Sequence, residues 1–173
     1  MPGPITIGDE APNFDLSSTE GCVLMLKDEV VRTAVVLYFF ADGDSDRVHR
    51  DLKRLSQARE KLARHRTKVL AVAPLPLAKL QELQRTLDLG YPLLRDDRGF
   101  ARHYGIEASE EGKTPAPALV VVDRRQQVRW IATPVTGVDE ALSQVEKSLT
   151  ALPSPVASYP RKVVNRFRDR MVN

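Results

Sequence analysis

A run of seven apolar residues, Ala-Val-Val-Leu-Tyr-Phe-Phe at 34–40, interrupts an otherwise mixed chain. Its β-branched and aromatic residues are typical of a strand that is buried on both faces. A polar turn follows, and then apolar residues recur every three or four positions, which predicts a helix over 46–65. The apolar face of that helix consists of Val48, Leu52, Leu55, Ala58 and Leu62. Asp44 or Ser45 is expected to cap its amino end.

The same pattern predicts the other elements of the chain. Before the apolar run lie two extended pieces within 4–16, a strand at 22–26 that forms a hairpin with them, and a polar connection at 27–32. After the first helix come a strand at 69–73, a helix at 77–87, an extended piece at 91–96 and a helical turn at 100–104 ended by Gly105. The last elements are a strand at 119–123, its hairpin partner at 127–132, and a helix at 138–152. This order predicts one α/β domain over 1–152, with a mixed central sheet and helices on both faces.

Charge separates the last 21 residues from this domain. The segment 153–173 begins Pro-Ser-Pro and holds five basic residues and one acid, so it carries +4, whereas the rest of the chain carries −1. Val163, Phe167 and Met171 lie four residues apart, which predicts a basic amphipathic C-terminal helix. We expect its apolar stripe to dock on the domain, on a second copy in a dimer, or on another protein. A basic arm for an acidic partner, a membrane surface or nucleic acid is the alternative, and nucleic acid is the less favoured because the domain itself is not basic.

Several classes of protein do not fit the sequence. No apolar run approaches the length of a membrane span, and the first ten residues show no secretory signal, so a cytoplasmic location is expected. A single cysteine, Cys22, allows no intramolecular disulfide. No phosphate-binding glycine loop is present, and the sequence indicates no cofactor and no particular small-molecule substrate.

Five short segments, in order, resemble the peroxiredoxin family (AhpC/TSA, bacterioferritin-comigratory-protein-like) of the thioredoxin-like superfamily. They are Gly-Asp-Glu-Ala-Pro-Asn-Phe-Asp-Leu at 8–16, the apolar run at 35–40, Tyr-Pro-Leu-Leu-Arg-Asp at 91–96, Ala-Arg-His-Tyr-Gly-Ile at 101–106, and Ala-Pro-Ala-Leu-Val-Val-Val-Asp at 116–123. The resemblance covers about 4–150 and implies a thioredoxin-like, peroxiredoxin-type fold. It also implies an antioxidant thiol peroxidase (oxidoreductase, redoxin) ancestry.

The residues that carry peroxidase chemistry in that family are replaced here. The family's Pro-x-x-x-Thr-x-x-Cys motif falls on Ala41, Ser45 and Val48, so the nucleophilic position holds valine. A resolving cysteine five residues further on would be Lys53, and no arginine lies at 116–118. The turn also contains three aspartates, whose charge would raise the pKa of a thiol. The resemblance therefore implies a degenerate active site without a peroxidatic or resolving cysteine.

Two other chemistries remain open from the sequence. Cys22 is a displaced redox thiol, a cysteine that crosslinks two chains, or a small apolar strand residue. No basic group is adjacent in the sequence to activate it. Asp42, Asp44 and Asp46 are spaced like the start of a calcium loop, but Arg47 and Lys53 occupy positions that such a loop needs for Gly and Glu. Acidic residues that cap the helix are the alternative interpretation.

Pro117 precedes the predicted strand at 119–123, where thioredoxin-like proteins place a cis-proline that faces the active-site turn. A cis peptide bond at Pro117 is therefore expected from the resemblance, and an ordinary trans proline at a strand entrance is the alternative.

Two functions from different classes follow. The first is a binding, regulatory or assembly protein on a peroxiredoxin scaffold, without classical peroxidatic activity. The second is an antioxidant oxidoreductase that acts through Cys22 or through a bound metal or cofactor. Fold analogy does not decide between them, because function depends on the site rather than on the fold.

Overall fold

A computed structural model describes residues 5–106, 116–132 and 138–150 of the chain. The strands are β1 (Asp15–Ser18), β2 (Val23–Met25), β3 (Ala34–Phe39), β4 (Thr67–Ala73), β5 (Leu93–Arg95), β6 (Ala118–Val122) and β7 (Val128–Ala132). The helices are α1 (Leu26–Glu29), α2 (Asp46–Arg64), α3 (Leu77–Thr86) and α4 (Val138–Thr150), with a 3₁₀ helix at Phe100–Tyr104. None of these helices is both long enough and apolar enough to cross a membrane.

Within the described residues the strands form one mixed sheet in the order β2-β1-β5-β4-β3-β6-β7. β3 lies near the centre, where it pairs in parallel with β4 and antiparallel with β6. Both β3–α2–β4 and β4–α3–β5 are crossover connections between parallel strands. The predicted mixed sheet and both predicted hairpins, β1–β2 and β6–β7, are confirmed.

The sheet has a core on each face because all six residues of β3 are buried, as its apolar run predicts. One core contains the apolar faces of the three longer helices, α2, α3 and α4. The other is covered by the amino-terminal segment, the single turn α1 and the 3₁₀ helix, through Phe14, Leu26 and Tyr104 among others. The prediction of helices on both faces is confirmed, with the long ones all on one face.

The expected polar connection at 27–32 is wrong in part, because α1 begins there. Leu26 and Val30, four residues apart, are both buried and hold this turn against the sheet. The backbone amide of Val30 bonds to the carbonyl of Leu26 at 3.0 Å. A single turn is too short to show helical periodicity, and so the surrounding polar residues dominated the prediction.

Candidate functional site

The turn between β3 and α2 is held by its own polar side chains. Ser45, one of the two predicted candidates, is the N-cap of α2, and its hydroxyl oxygen accepts a hydrogen bond from the amide of Val48 at 3.4 Å. Gly43 is buried, and a Cβ at that position would approach Cδ1 of Leu75 to 2.9 Å. His49 donates from Nε2 to the carbonyl oxygen of Gly43 at 2.6 Å. These contacts fix the backbone of the turn between β3 and α2.

Val48 faces the core from the first turn of α2. Its side chain is 3% exposed and belongs to the cluster under the long helices. Position 48 thus presents an aliphatic group to other apolar side chains. It offers neither a nucleophile nor a proton donor.

The three aspartates of the turn, Asp42, Asp44 and Asp46, each have a different role. A carboxylate oxygen of Asp42 accepts a hydrogen bond from the backbone amide of Asp44 at 3.0 Å. Lys79 of α3 forms an ion pair with Asp44 at 2.7 Å. The hydrogen bond and charge of Lys79 lower the pKa of the Asp44 carboxyl. Asp46 lies in the first turn of α2, where its charge complements the helix dipole. Across the described ranges no group of three or more His, Cys, Asp or Glu side chains is arranged to hold a metal ion.

A cavity of about 290 Å³ opens at the carboxyl ends of β3 and β4. β6 runs antiparallel to β3, so its start lies at the same edge of the sheet and Ala116 closes one side. The residues around the cavity are Phe39, Phe40, Ala41, Val72, Ala73, Pro74, Asp96, Asp97, Gly99, Ala101, Arg102, Ile106 and Ala116. In open α/β sheets this crevice is where ligands bind, and the volume is near the lower end of the range for small-molecule sites.

Most of this cavity wall is apolar. Its charged groups differ in how exposed they are and in whether they already have hydrogen-bond partners. Asp96 is 4% exposed, and its two oxygens accept the amides of Phe100 at 2.7 Å and Ala101 at 3.0 Å. That carboxylate therefore caps the 3₁₀ helix. Asp97 lies 3.8 Å from the guanidinium of Arg98 and is exposed, as is Arg102. Among the described residues that line the cavity, the exposed charges are thus the carboxylate of Asp97 and the guanidinium of Arg102.

The residues of the degenerate motif are only partly at this cavity. Ala41 lines it, whereas Ser45 and Val48 do not. Pro117 is buried and follows the lining residue Ala116. The isomer of its peptide bond stays a prediction. The apolar stripe Val163, Phe167 and Met171 lies outside the described residues.

Cys22 lies away from the cavity, in the hairpin that joins β1 to β2. It is exposed, and its Sγ is 3.3 Å from Oγ of Ser18. β2 and β3 are four strands apart in the sheet, which corresponds to about 19 Å at the usual strand spacing. The structure therefore does not bring Cys22 to the turn that carries the degenerate motif.

A buried polar pair beneath α2 was missed from the sequence. The hydroxyl of Tyr38 donates to Oδ2 of Asp51 at 2.8 Å, and Asp51 is 9% exposed. Burial raises the pKa of the Asp51 carboxyl and that of the Tyr38 hydroxyl. Asp51 follows Val48 by three residues on the same helix face, and this spacing was the available signal.

The family that this fold and site suggest is supported by direct comparison. Residues 7–131 match the AhpC/TSA family. The chain belongs to the AhpC/TSA family. A relative of this AhpC/TSA protein, the 1-Cys peroxiredoxin PER1 of Triticum aestivum, is 26% identical over 175 residues, covering 91% of this chain and 79% of the relative.

Solved structures that resemble this AhpC/TSA protein agree on the fold. Peroxidoxin BcpB from Mycobacterium tuberculosis superposes with a TM-score of 0.79 at 20% identity, covering 87% of this chain and 99% of that one. A cysteine-to-serine mutant of PrxQ from Xylella fastidiosa gives 0.76 at 14% identity, over 84% and 98%. The bacterioferritin comigratory protein of Xanthomonas campestris gives 0.69 at 16% identity, over 80% and 90%. The expected thioredoxin-like, peroxiredoxin-type fold is confirmed.

Proposed function

We propose that this AhpC/TSA protein is a binding protein on a peroxiredoxin scaffold and does not reduce peroxide at the β3–α2 turn. One observation carries the proposal. The residue at the family's nucleophilic position, Val48, is an aliphatic side chain buried in the core. Thiol peroxidases need a thiolate at that position, because the thiolate is the species that attacks peroxide.

The surroundings of the turn support the same conclusion. Asp42, Asp44 and Asp46 bring negative charge to the amino end of α2, where a thiolate would need positive potential. The neighbouring cavity is mostly apolar, and none of the described residues that line it is a cysteine or a histidine. A wall of this composition is suited to holding a small ligand, and its described residues supply no thiol.

Peroxide consumption tests the proposal. Native protein and the Cys22→Ser variant are assayed with hydrogen peroxide and an alkyl hydroperoxide, with dithiothreitol or thioredoxin as reductant. Neither should accelerate consumption above the reductant alone. Turnover by the native protein that Cys22→Ser abolishes would overturn the proposal, and turnover that survives the change would point to a bound metal or cofactor.

A second candidate function rests on the exposure of Cys22. An exposed thiol is accessible to oxidants and to a second chain, so an oxidoreductase that acts through Cys22 is the alternative. The contacts of Cys22 give this alternative less support. The described neighbour within hydrogen-bond distance of its Sγ is the hydroxyl of Ser18, which carries no positive charge. The peroxide assay separates the two candidates directly.

Protein partners are the further part of the proposal. The apolar stripe formed by Val163, Phe167 and Met171 would supply an interface for self-association or for another protein. A cytoplasmic location also stays a prediction.

A further inference from the structure

Arg102 is a charged group at the mouth of the cavity. Its guanidinium makes no hydrogen bond and no ion pair with the described residues, and its side chain lies close to Gly99, on the cavity wall. Arg98 differs, because it pairs with Asp15 at 2.6 Å and stacks over the ring of Phe100. Arg102 is therefore the guanidinium of this described region that remains available to a ligand.

The carboxylates of the cavity do not compete for the same role. Both oxygens of Asp96 are occupied by the backbone amides of the 3₁₀ helix. Asp97 faces Arg98, so its charge is partly balanced. The guanidinium of Arg102 has no ion-pair partner among the described residues, and an unpaired arginine favours a carboxylate or another planar anion.

The rest of the cavity sets the size and polarity of the ligand. Its apolar lining includes Phe39, Val72, Ala101 and Ile106. At about 30 Å³ for each water-sized group, a volume of about 290 Å³ accommodates roughly ten non-hydrogen atoms. An apolar body of this size gains affinity through burial.

We propose that this cavity binds a small monocarboxylic acid of about ten carbons in total, and that Arg102 receives its carboxylate. The inference rests on the proposed function, since it names the ligand class of the same binding site. No covalent step is involved. Specificity comes from one charged contact at the mouth and from apolar burial behind it.

Titration calorimetry on the full chain tests this assignment. The probes are decanoate, decylammonium and acetate, each below any micelle concentration. Decanoate should bind at one site, decylammonium at least tenfold more weakly, and acetate without measurable heat. Across shorter saturated acids the affinity should rise about three- to fourfold for each added methylene.

Two variants and one control locate the binding. Arg102→Gln should weaken decanoate binding about tenfold or more, because a charged hydrogen bond is lost. Ala101→Phe should abolish it by filling the cavity. Arg125→Gln, at an exposed arginine of the β6–β7 turn, should leave the affinity unchanged. Circular dichroism confirms that each variant is folded.

Failure of this inference differs from failure of the proposed function. Decanoate binding that is absent, or equal in native protein and Arg102→Gln, overturns the ligand assignment whatever the peroxide assay shows. Stronger binding of decylammonium than of decanoate also overturns it. Peroxide turnover overturns the proposed function. It does not affect the ligand assignment, which holds if decanoate binding depends on Arg102.

Discussion

Two side chains on the inner face of α2, Val48 and Asp51, determine the chemistry of its first two turns. Val48 places two methyl groups in the core, and Asp51, three residues later, holds a largely buried carboxylate. The carboxylate is tolerated because Tyr38 donates a hydrogen bond to it. The inner face of α2 thus combines an inert position with a buried titratable one.

Asp51 should make the free energy of unfolding depend on pH. Its folded pKa is raised above the ordinary value of 3.8 by burial, with Tyr38, Arg47 and Arg50 opposing that shift. Between 3.8 and the raised value the folded state therefore binds more protons than the unfolded state, so stability falls as the pH rises through that window. Denaturant unfolding of native protein and Asp51→Asn, compared from about pH 3.5 to about pH 7, measures the effect.

The native protein should lose stability relative to Asp51→Asn as the pH increases. The exposed aspartate of α1, changed as Asp28→Asn, is the matched control and should show no such relative loss. A native protein that gains stability relative to Asp51→Asn with rising pH would contradict this explanation.

At the scale of elements, local patterns predicted most of the structure. The apolar run of β3, the period of α2 and the glycine that ends the 3₁₀ helix each act within a few residues, and Gly105 does adopt the left-handed conformation with φ of 74°. α1 was missed because one turn has no detectable period. Sequence patterns work best where the cause lies within one element.

The amino end of α2 offers a test at this scale. Ser45→Ala removes the acceptor for the Val48 amide, and a lost N-cap usually costs about 0.5–2 kcal/mol. The bond of 3.4 Å is long, so we expect about 0.5–1 kcal/mol, at the lower end of that range. Ser143→Ala, at an exposed position in the middle of α4, should change the free energy of unfolding little. Equal effects of the two substitutions would show that Ser45 does not cap the helix.

At the scale of the molecule, the cavity could not be predicted from the sequence. It is assembled from the ends of β3 and β4, the 3₁₀ segment and the start of β6, which lie far apart in the chain. The family motif placed Ala41 at this edge of the sheet, but Arg102 and Ile106 carried no signal for binding. Only the pairing of the strands brings these residues together.

The apolar stripe Val163, Phe167 and Met171 is expected to affect the oligomeric state or the stability of the whole chain. Deleting 153–173 should reduce the oligomeric state or the stability, because three aligned apolar residues would lose their interface. Substituting serine at Val163, Phe167 and Met171 should have the same effect, whereas neutralising Arg166, Arg168 and Arg170 with glutamine should not. Light scattering after size-exclusion chromatography measures the mass. An unchanged mass and an unchanged stability after deletion would contradict the assignment.

Whether this scaffold activates a thiol can be measured as the rate at which the native protein's single thiol reacts with hydrogen peroxide. Stopped-flow measurement with excess peroxide gives a second-order rate constant, and the same measurement on glutathione gives the reference. Because the described hydrogen-bond neighbour of the Cys22 thiol is the uncharged hydroxyl of Ser18, we expect a rate constant within about tenfold of glutathione. A rate constant larger by about a thousandfold or more would contradict the account, since only an activated thiolate reacts so fast.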